Sequence, residues 1–242
     1  MSPHEPDNRA YYDDFSGGYE DARGRGYHAM LDELESSLVL PLARGARVLE
    51  AGCGTGLILS RVAQVARQTV GVDLSQGMLG KAHERGLDVV QGSVLQLPFA
   101  DNVFDVTCSF KVLAHIQPIE AAMAELLRVT RPGGHVIAEF YNACSLRYLA
   151  KRLAGPQKIS KGRTEADVYT RWDTPWSLKQ YVPAGAEMLS LYGVRVLTPF
   201  AAVHRIPVLG SAVLQAERWA VSSQIRYAGG FLVLVMRKHE HR

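Results

Sequence analysis

Two carboxylates bracket a run of alternate glycines in this chain, at a spacing suited to gripping a nucleoside. The run is Val48-Leu49-Glu50-Ala51-Gly52-Cys53-Gly54-Thr55-Gly56-Leu57. Glycine lets a backbone turn sharply and pass close to a ligand, so Gly52, Gly54 and Gly56 read as a cradle with Cys53 inside it. Arg47–Leu49 reads as the end of a short apolar strand and Leu57–Ala66 as a helix. The start of that helix offers unpaired N–H groups and partial positive charge. Glu50 precedes the first glycine. Asp73 ends the next apolar run, Thr69-Val-Gly-Val-Asp73, about 20 residues on, where a carboxylate can accept from ribose hydroxyls. A helix-cap acid is the plainer alternative for Asp73. The glycine spacing also departs from the Gly-x-Gly-x-x-Gly of dinucleotide folds.

The elements that must hold these groups alternate along the chain. Met30, Leu31, Leu34 and Leu38 repeat at helical spacing ahead of Pro41 and Gly45. Ser75 is placed to cap a helix over Gln76–Glu84. Leu87–Gln91, Val103–Phe110 and His135–Tyr141 read as strands, the middle one continuously apolar, as a strand buried on both faces should be. A helix behind Pro118 is closed by Arg128 and Arg131 and stopped by Pro132-Gly133-Gly134. After Asn142, six cations from Arg147 to Arg163 precede the next acid, Glu165, and read as a solvated helix face and loop. A helix is expected over Leu178–Tyr192, strands over Val194–Val203 and Gly230–Arg237, and a helix carrying Val213, Leu214, Glu217 and Trp219. This alternation argues for a doubly wound α/β sheet, with ligands beyond the carboxyl ends of its strands.

The chain resembles the class I S-adenosylmethionine-dependent methyltransferases, of the type found in ubiquinone and menaquinone biosynthesis. The likeness rests on Val-Leu-Glu-Ala-Gly-Cys-Gly-Thr-Gly (48–56), Val-Gly-Val-Asp-Leu-Ser (70–75), Gln-Gly-Ser-Val-Leu-Gln-Leu-Pro-Phe (91–99), Phe-Asp-Val (104–106) and Leu-Leu-Arg-Val-Thr-Arg-Pro-Gly-Gly (126–134), in that order. It is firm over 44–142 and looser elsewhere. It implies a mostly parallel seven-stranded sheet with helices on both faces and the last strand antiparallel. It also implies one domain over 1–242: an N-terminal lid and helices (1–44), a cofactor core (45–142) and an acceptor side (143–242).

By the same resemblance the cofactor is S-adenosylmethionine, leaving as S-adenosylhomocysteine, with no metal. Glu50 would hold the ammonium end, Gly52 and Gly54 would let the backbone approach, and Asp73 would take the ribose. Leu74 and Met78 would sandwich the adenine, beside Gly92, Ser93, Val94 and Phe110. Ser93 stands where the family commonly carries an acid on the adenine amino group, so that contact is uncharged here. Tyr11 and Tyr19, in an aromatic-acidic segment with two glycines, read either as a lid or as a plug at the core's edge. His115 is the candidate base for a hydroxyl or phenol acceptor, with a structural histidine as the alternative. Lys111 would meet an anionic acceptor group or, more plainly, solvent. Tyr141, Tyr169, Trp172, Trp176 and Arg205 would close the acceptor pocket, with His204 a second candidate base.

Composition narrows the rest. A net charge of +3 is too small for a dedicated nucleic-acid binder. Cys53, Cys108 and Cys144 follow no metal or disulfide spacing. The polar start is no signal peptide, and no apolar run reaches about 20 residues, so a cytoplasmic setting without a membrane span is expected. The expected reaction is in-line methyl transfer to O, N or C of a small metabolite. RNA methylation through the basic stretch, non-catalytic S-adenosylmethionine binding and an NAD-dependent oxidoreductase are the alternatives.

Overall fold

The computed structural model describes residues 9, 12–13, 16–20, 26–155, 158–160, 163–164, 169–198 and 207–240. The helices are α1 (Tyr27–Ala43), α2 (Leu57–Val62), α3 (Gln76–Glu84), α4 (Ile119–Val129), α5 (Leu146–Ala154) and α6 (Pro207–Ala220). The strands are β1 (Arg47–Ala51), β2 (Gln68–Asp73), β3 (Val89–Gln91), β4 (Phe104–Ser109), β5 (Thr130–Tyr141), β6 (Lys158–Ser160), β7 (Arg163–Thr164), β8 (Ala186–Val194) and β9 (Phe231–Lys238). Seven of them form one sheet in the order β3-β2-β1-β4-β5-β9-β8, while β6 and β7 pair separately.

From β3 to β5 every pairing is parallel, and β9 runs antiparallel to both β5 and β8. The doubly wound expectation is therefore met. The chain reverses its winding between β1 and β4, which opens a crevice at the carboxyl ends of the strands. Period-two alternation supplies both faces. Leu232, Leu234 and Met236 of β9 join Met123 and Leu126 of α4 on one side. Phe231, Val233 and Val235 join Met30, Leu31 and Leu34 of α1 on the other. Ser75 caps α3 as its position predicts, its hydroxyl accepting from the Met78 N–H at 3.1 Å.

Three expectations need correcting. Leu178–Tyr192 is not a helix: a 3-10 turn over Ser177–Tyr181 is followed by β8, so the strand lies at Ala186–Val194, ending where the expected Val194–Val203 begins, and 195–198 are not strand. Pro183 and Gly185, the latter with φ 92°, stop helical continuation. The run from Ala186 to Val194 then pairs with Lys238 to Phe231. Residues 199–203 of that expected strand lie outside the described residues. The helix expected over Leu57–Ala66 ends at Val62. Arg131 lies beyond α4, at the start of β5, where it pairs with Asp105 at 2.6 Å.

Candidate functional site

A cavity of about 260 Å³ occupies the crevice at the winding reversal. Each strand end contributes to its wall. Glu50, Gly52, Cys53 and Gly54 come from the end of β1 and its turn, Asp73 and Leu74 from the end of β2, and Met78 from α3. Gly92 and Val94 follow β3, Phe110, Lys111 and His115 follow β4, and Tyr141 ends β5. Gly52, with φ 78°, must be glycine on two counts: its conformation is left-handed, and a Cβ there would collide with Val112. Gly54 has open space beside it, so its backbone is free to approach a ligand.

The two carboxylates differ in how they are held. Asp73 accepts from the Gly54 N–H at 2.8 Å and the Ser75 N–H at 2.9 Å, tying the tip of β2 to the glycine turn. It thus closes a local turn onto Ser75 while also facing the cavity, and the helix cap that was its plainer reading is Ser75 instead. Burial raises its pKa, and these N–H groups oppose the rise. Glu50 is 3% exposed, and its Oε2 has no hydrogen-bond partner. Burial, reinforced by Glu35, pushes its pKa well above the usual carboxylate range, with Lys111 opposing. A buried carboxyl oxygen with no partner is costly, and this one lines the cavity.

The N-terminal segment is fastened over the mouth. Asp13 accepts from the Ser75 hydroxyl at 2.6 Å and the Gly77 N–H at 3.0 Å, contacts that hold its carboxyl below its usual range. Glu20 pairs with Arg85 at 2.5 Å. These ties bring Tyr12 and Tyr19 to the cavity wall.

On the acceptor side, His115 Nδ1 lies 2.9 Å from the Tyr169 carbonyl, which can only accept. Nδ1 therefore carries the hydrogen, and Nε2, 3.4 Å from the Tyr141 hydroxyl, is left as an acceptor. Burial lowers the His115 pKa, against the Tyr169 carbonyl, so the ring is neutral at neutral pH. Burial also raises the Tyr141 pKa, keeping the phenol protonated. Behind Tyr141, the Arg147 guanidinium lies over three rings, 4.3 Å from Tyr141, 4.9 Å from Trp172 and 4.6 Å from Phe231.

Lys111 does not point to solvent. Its ammonium bonds Glu35 at 2.7 Å and Asp32 at 3.2 Å, both on α1, and its N–H bonds Glu139 of β5 at 3.0 Å. These contacts hold it at φ 60°, a strained value for a lysine. Its charge is committed to α1 rather than directed at an acceptor. Beside it, burial and the charge of Glu35 raise the pKa of Glu139 well above the usual carboxylate range.

Not every expected residue reaches the cavity. Gly56 is the left-handed cap of α2 and lies behind the wall. The Ser93 hydroxyl accepts from the Leu95 N–H at 3.1 Å, in a local turn, and Ser93 is not in the wall. Tyr169 contributes its carbonyl. Trp172 stands one layer back, 5.4 Å from the Tyr141 ring. Trp176 is 76% exposed and lies elsewhere, because the turn after it points Leu178 and Tyr181 inward instead. Tyr11, His204 and Arg205 lie outside the described residues. The sequence reading missed Tyr12, Asp13, Asp32, Glu35, Glu139 and Arg147. Glu139 carried a signal, being an acid inside the apolar run Val136-Ile-Ala-Glu-Phe140; so did Asp32 and Glu35, on the apolar face of a helix.

Comparison with known proteins agrees with this geometry. The methyltransferase domain family matches residues 49–138. A demethylmenaquinone methyltransferase of Mycobacterium marinum is 37% identical over 139 residues, which are 54% of this chain and 60% of that protein. This chain thus spans about 60% of that relative's length. Among solved structures, a Thermotoga maritima S-adenosylmethionine-dependent methyltransferase, described as a possible histamine N-methyltransferase, superposes with a TM-score of 0.70. It is 19% identical, over 95% of this chain and 99% of that one. Magnesium protoporphyrin IX methyltransferase of Synechocystis, solved with bound S-adenosylhomocysteine, gives 0.67 at 15% identity, over 97% and 99%. At such identities the two structures speak to the fold alone.

Proposed function

We propose that the chain, whose residues 49–138 match the methyltransferase domain family, binds S-adenosylmethionine in the strand-end cavity and methylates O, N or C of a small-molecule acceptor by in-line displacement. One observation carries the reading: a buried carboxylate oxygen without a partner, on Glu50, lines the same cavity as the partly engaged carboxylate of Asp73. Each Asp73 oxygen accepts one N–H and keeps a further lone pair for a ribose hydroxyl. Glu50 would take the ammonium, and Leu74 and Met78 would flank the adenine. Bound there, the cofactor supplies an electrophilic methyl group on a sulfonium.

The chain's own work is then alignment, exclusion of water and movement of one proton. Tyr12 and Tyr19 cover the mouth. The Tyr141 hydroxyl, 3.4 Å from His115 Nε2, takes the proton of a hydroxyl or phenol acceptor as it passes its own to that nitrogen. The demethylmenaquinone methyltransferases among the relatives support a small acceptor. The proposal extends to one domain over 1–242, with 1–44 covering, 45–142 holding the cofactor and 143–242 facing the acceptor.

A thermal-shift comparison tests the reading. S-adenosylmethionine and S-adenosylhomocysteine are expected to raise Tm, and NAD to leave it unchanged; stabilisation by NAD alone would overturn it. With an acceptor in hand, His115→Ala is expected to lower kcat by about 10²- to 10⁴-fold while cofactor affinity holds. An unchanged kcat would leave alignment as the whole of catalysis.

A further inference from the structure

Arg147 is a cation held without a counter-ion. Its neighbours are neutralised: Lys111 by Glu35 and Asp32, and Arg171 by Asp173 at 3.0 Å. Among the described residues no carboxylate pairs with Arg147, and its Nη1 is buried without a hydrogen-bond partner. The faces of Tyr141, Trp172 and Phe231 hold the guanidinium instead, Tyr141 being nearest at 4.3 Å. Desolvating a charge is costly. Aromatic faces offset part of that cost without cancelling the charge, as a carboxylate would.

The chain makes room for this placement. Ser145 caps α5 by accepting from the Tyr148 N–H at 3.1 Å, which sets Arg147 in the first turn. A Cβ at Gly230, the residue before β9, would lie 3.2 Å from Arg147 Cδ, closer than an ordinary contact. Glycine at 230 thus keeps the path to the rings open.

Tyr141 is the ring that this charge can serve. It ends β5 in the cavity wall, its hydroxyl 3.4 Å from His115 Nε2. The acceptor's proton goes to the Tyr141 oxygen and the phenol's own proton to Nε2, while the freed electron pair stays on the acceptor oxygen for the methyl carbon. Negative charge builds on the phenol oxygen as its proton leaves, and a cation against the ring stabilises it. We infer that Arg147 is a positioning residue for proton removal, its uncompensated charge stabilising the Tyr141 phenolate as the proton passes to His115. This rests on Tyr141 and His115 being the proton path of the proposed methyl transfer.

The surrounding charges leave that role to Arg147. Lys111 also favours the phenolate, but two carboxylates share it, and Glu139 on β5 itself opposes it. Beyond β8, Arg195 is stacked on the Tyr27 ring of α1 at 4.9 Å. Arg147, Lys151 and Arg171 all disfavour charge on the His115 imidazole, which keeps Nε2 bare at rest. At Tyr141 the Arg147 charge is the strongest influence after burial, whereas at His115 it stands behind burial and the Tyr169 carbonyl. The phenolate therefore gains more from it than the imidazolium loses.

The test reads the phenol directly and needs no acceptor. Difluorotyrosine is placed at position 141 of the full chain, and its ionisation is followed by fluorine NMR beside Arg147, Arg147→Met and Arg147→Lys. The neutral Arg147→Met is expected to move the midpoint up by about one pH unit. Arg147→Lys, which keeps the charge, is expected to restore most of it. With an acceptor in hand and tyrosine at 141, Arg147→Met should lower kcat about tenfold at unchanged KM for S-adenosylmethionine, and Arg147→Lys should recover it. A midpoint that Arg147→Met leaves in place would overturn the inference. So would a loss of kcat that Arg147→Lys does not repair, the mark of a guanidinium that only packs. A shifted midpoint in a chain that S-adenosylmethionine fails to stabilise would support the charge pairing and overturn the methyltransferase reading instead.

Discussion

Two buried carboxylates, Glu217 and Glu50, have opposite surroundings. Glu217 of α6 is fully buried and accepts from the N–H groups of Val196, Leu197 and Thr198 and from the Thr198 hydroxyl, at 2.6–2.9 Å. It fastens α6 to the chain leaving β8. Glu50 is almost as buried, yet its Oε2 is without a partner. Burying a charge is expensive unless hydrogen bonds replace water. At Glu217 the protein supplies them itself. At Glu50 it leaves the carboxyl unsatisfied beside a cavity, the pattern of a site completed by a ligand.

That contrast can be broken most forcefully at Glu217. Glu217→Ala strands several buried donors, so a loss of about 4 kcal/mol is expected, seen as a Tm lower by roughly 10 °C. Its S-adenosylmethionine affinity, measured on the folded fraction, should stay as in the wild type. A small change in Tm would mean the donors find water and the contrast is false.

A subtler effect is expected from pH. The raised pKa of Glu50 makes the folded protein bind more protons than the unfolded chain above the unfolded value of 4.5. Without ligand, stability should therefore decline as pH rises from about 4.5 toward the elevated folded pKa. Glu35 and Glu139, also raised by burial, add to the decline. Denaturant melts of Glu50→Gln should show a shallower decline than the wild type between about pH 5 and 8. A parallel slope would mean that Glu50 is solvated rather than desolvated.

Smaller still is the effect of Lys111→Met, which leaves Asp32 and Glu35 without their shared cation. Its Tm should fall by less than that of Glu217→Ala, because a buried carboxyl can take up a proton where a stranded N–H cannot find an acceptor. A larger fall would move the structural anchor from the Glu217 corner to the cavity floor.

What was legible beforehand follows the same division. The glycine turn, the strand end at Asp73 and the Ser75-capped helix are short-range, each fixed by neighbours a few residues apart, and lie at the places in the fold that were read for them. Glu50 was legible as an acid but not as an unsatisfied one, since that depends on what surrounds it in space. Lys111 was misread because its partners on α1 lie 76 and 79 residues away. The run from Ala186 to Val194 suits helix and strand alike on apolar spacing, and only pairing with β9 decides it. Arg147, counted as one of a solvated set of cations, is drawn in by rings contributed from β5, β9 and the chain between α5 and β8.

Calorimetric titration of S-adenosylmethionine into the wild type and Glu50→Gln tests the central claim most directly. Because burial raises the pKa of the ligand-free Glu50 and an ammonium favours the carboxylate, wild-type binding should release protons, read from buffers of different ionisation enthalpy. Glu50→Gln should lose that release and bind about 10- to 100-fold more weakly. Equal affinity and equal proton release in the two proteins would show that the unpartnered oxygen of Glu50 does not hold the ligand.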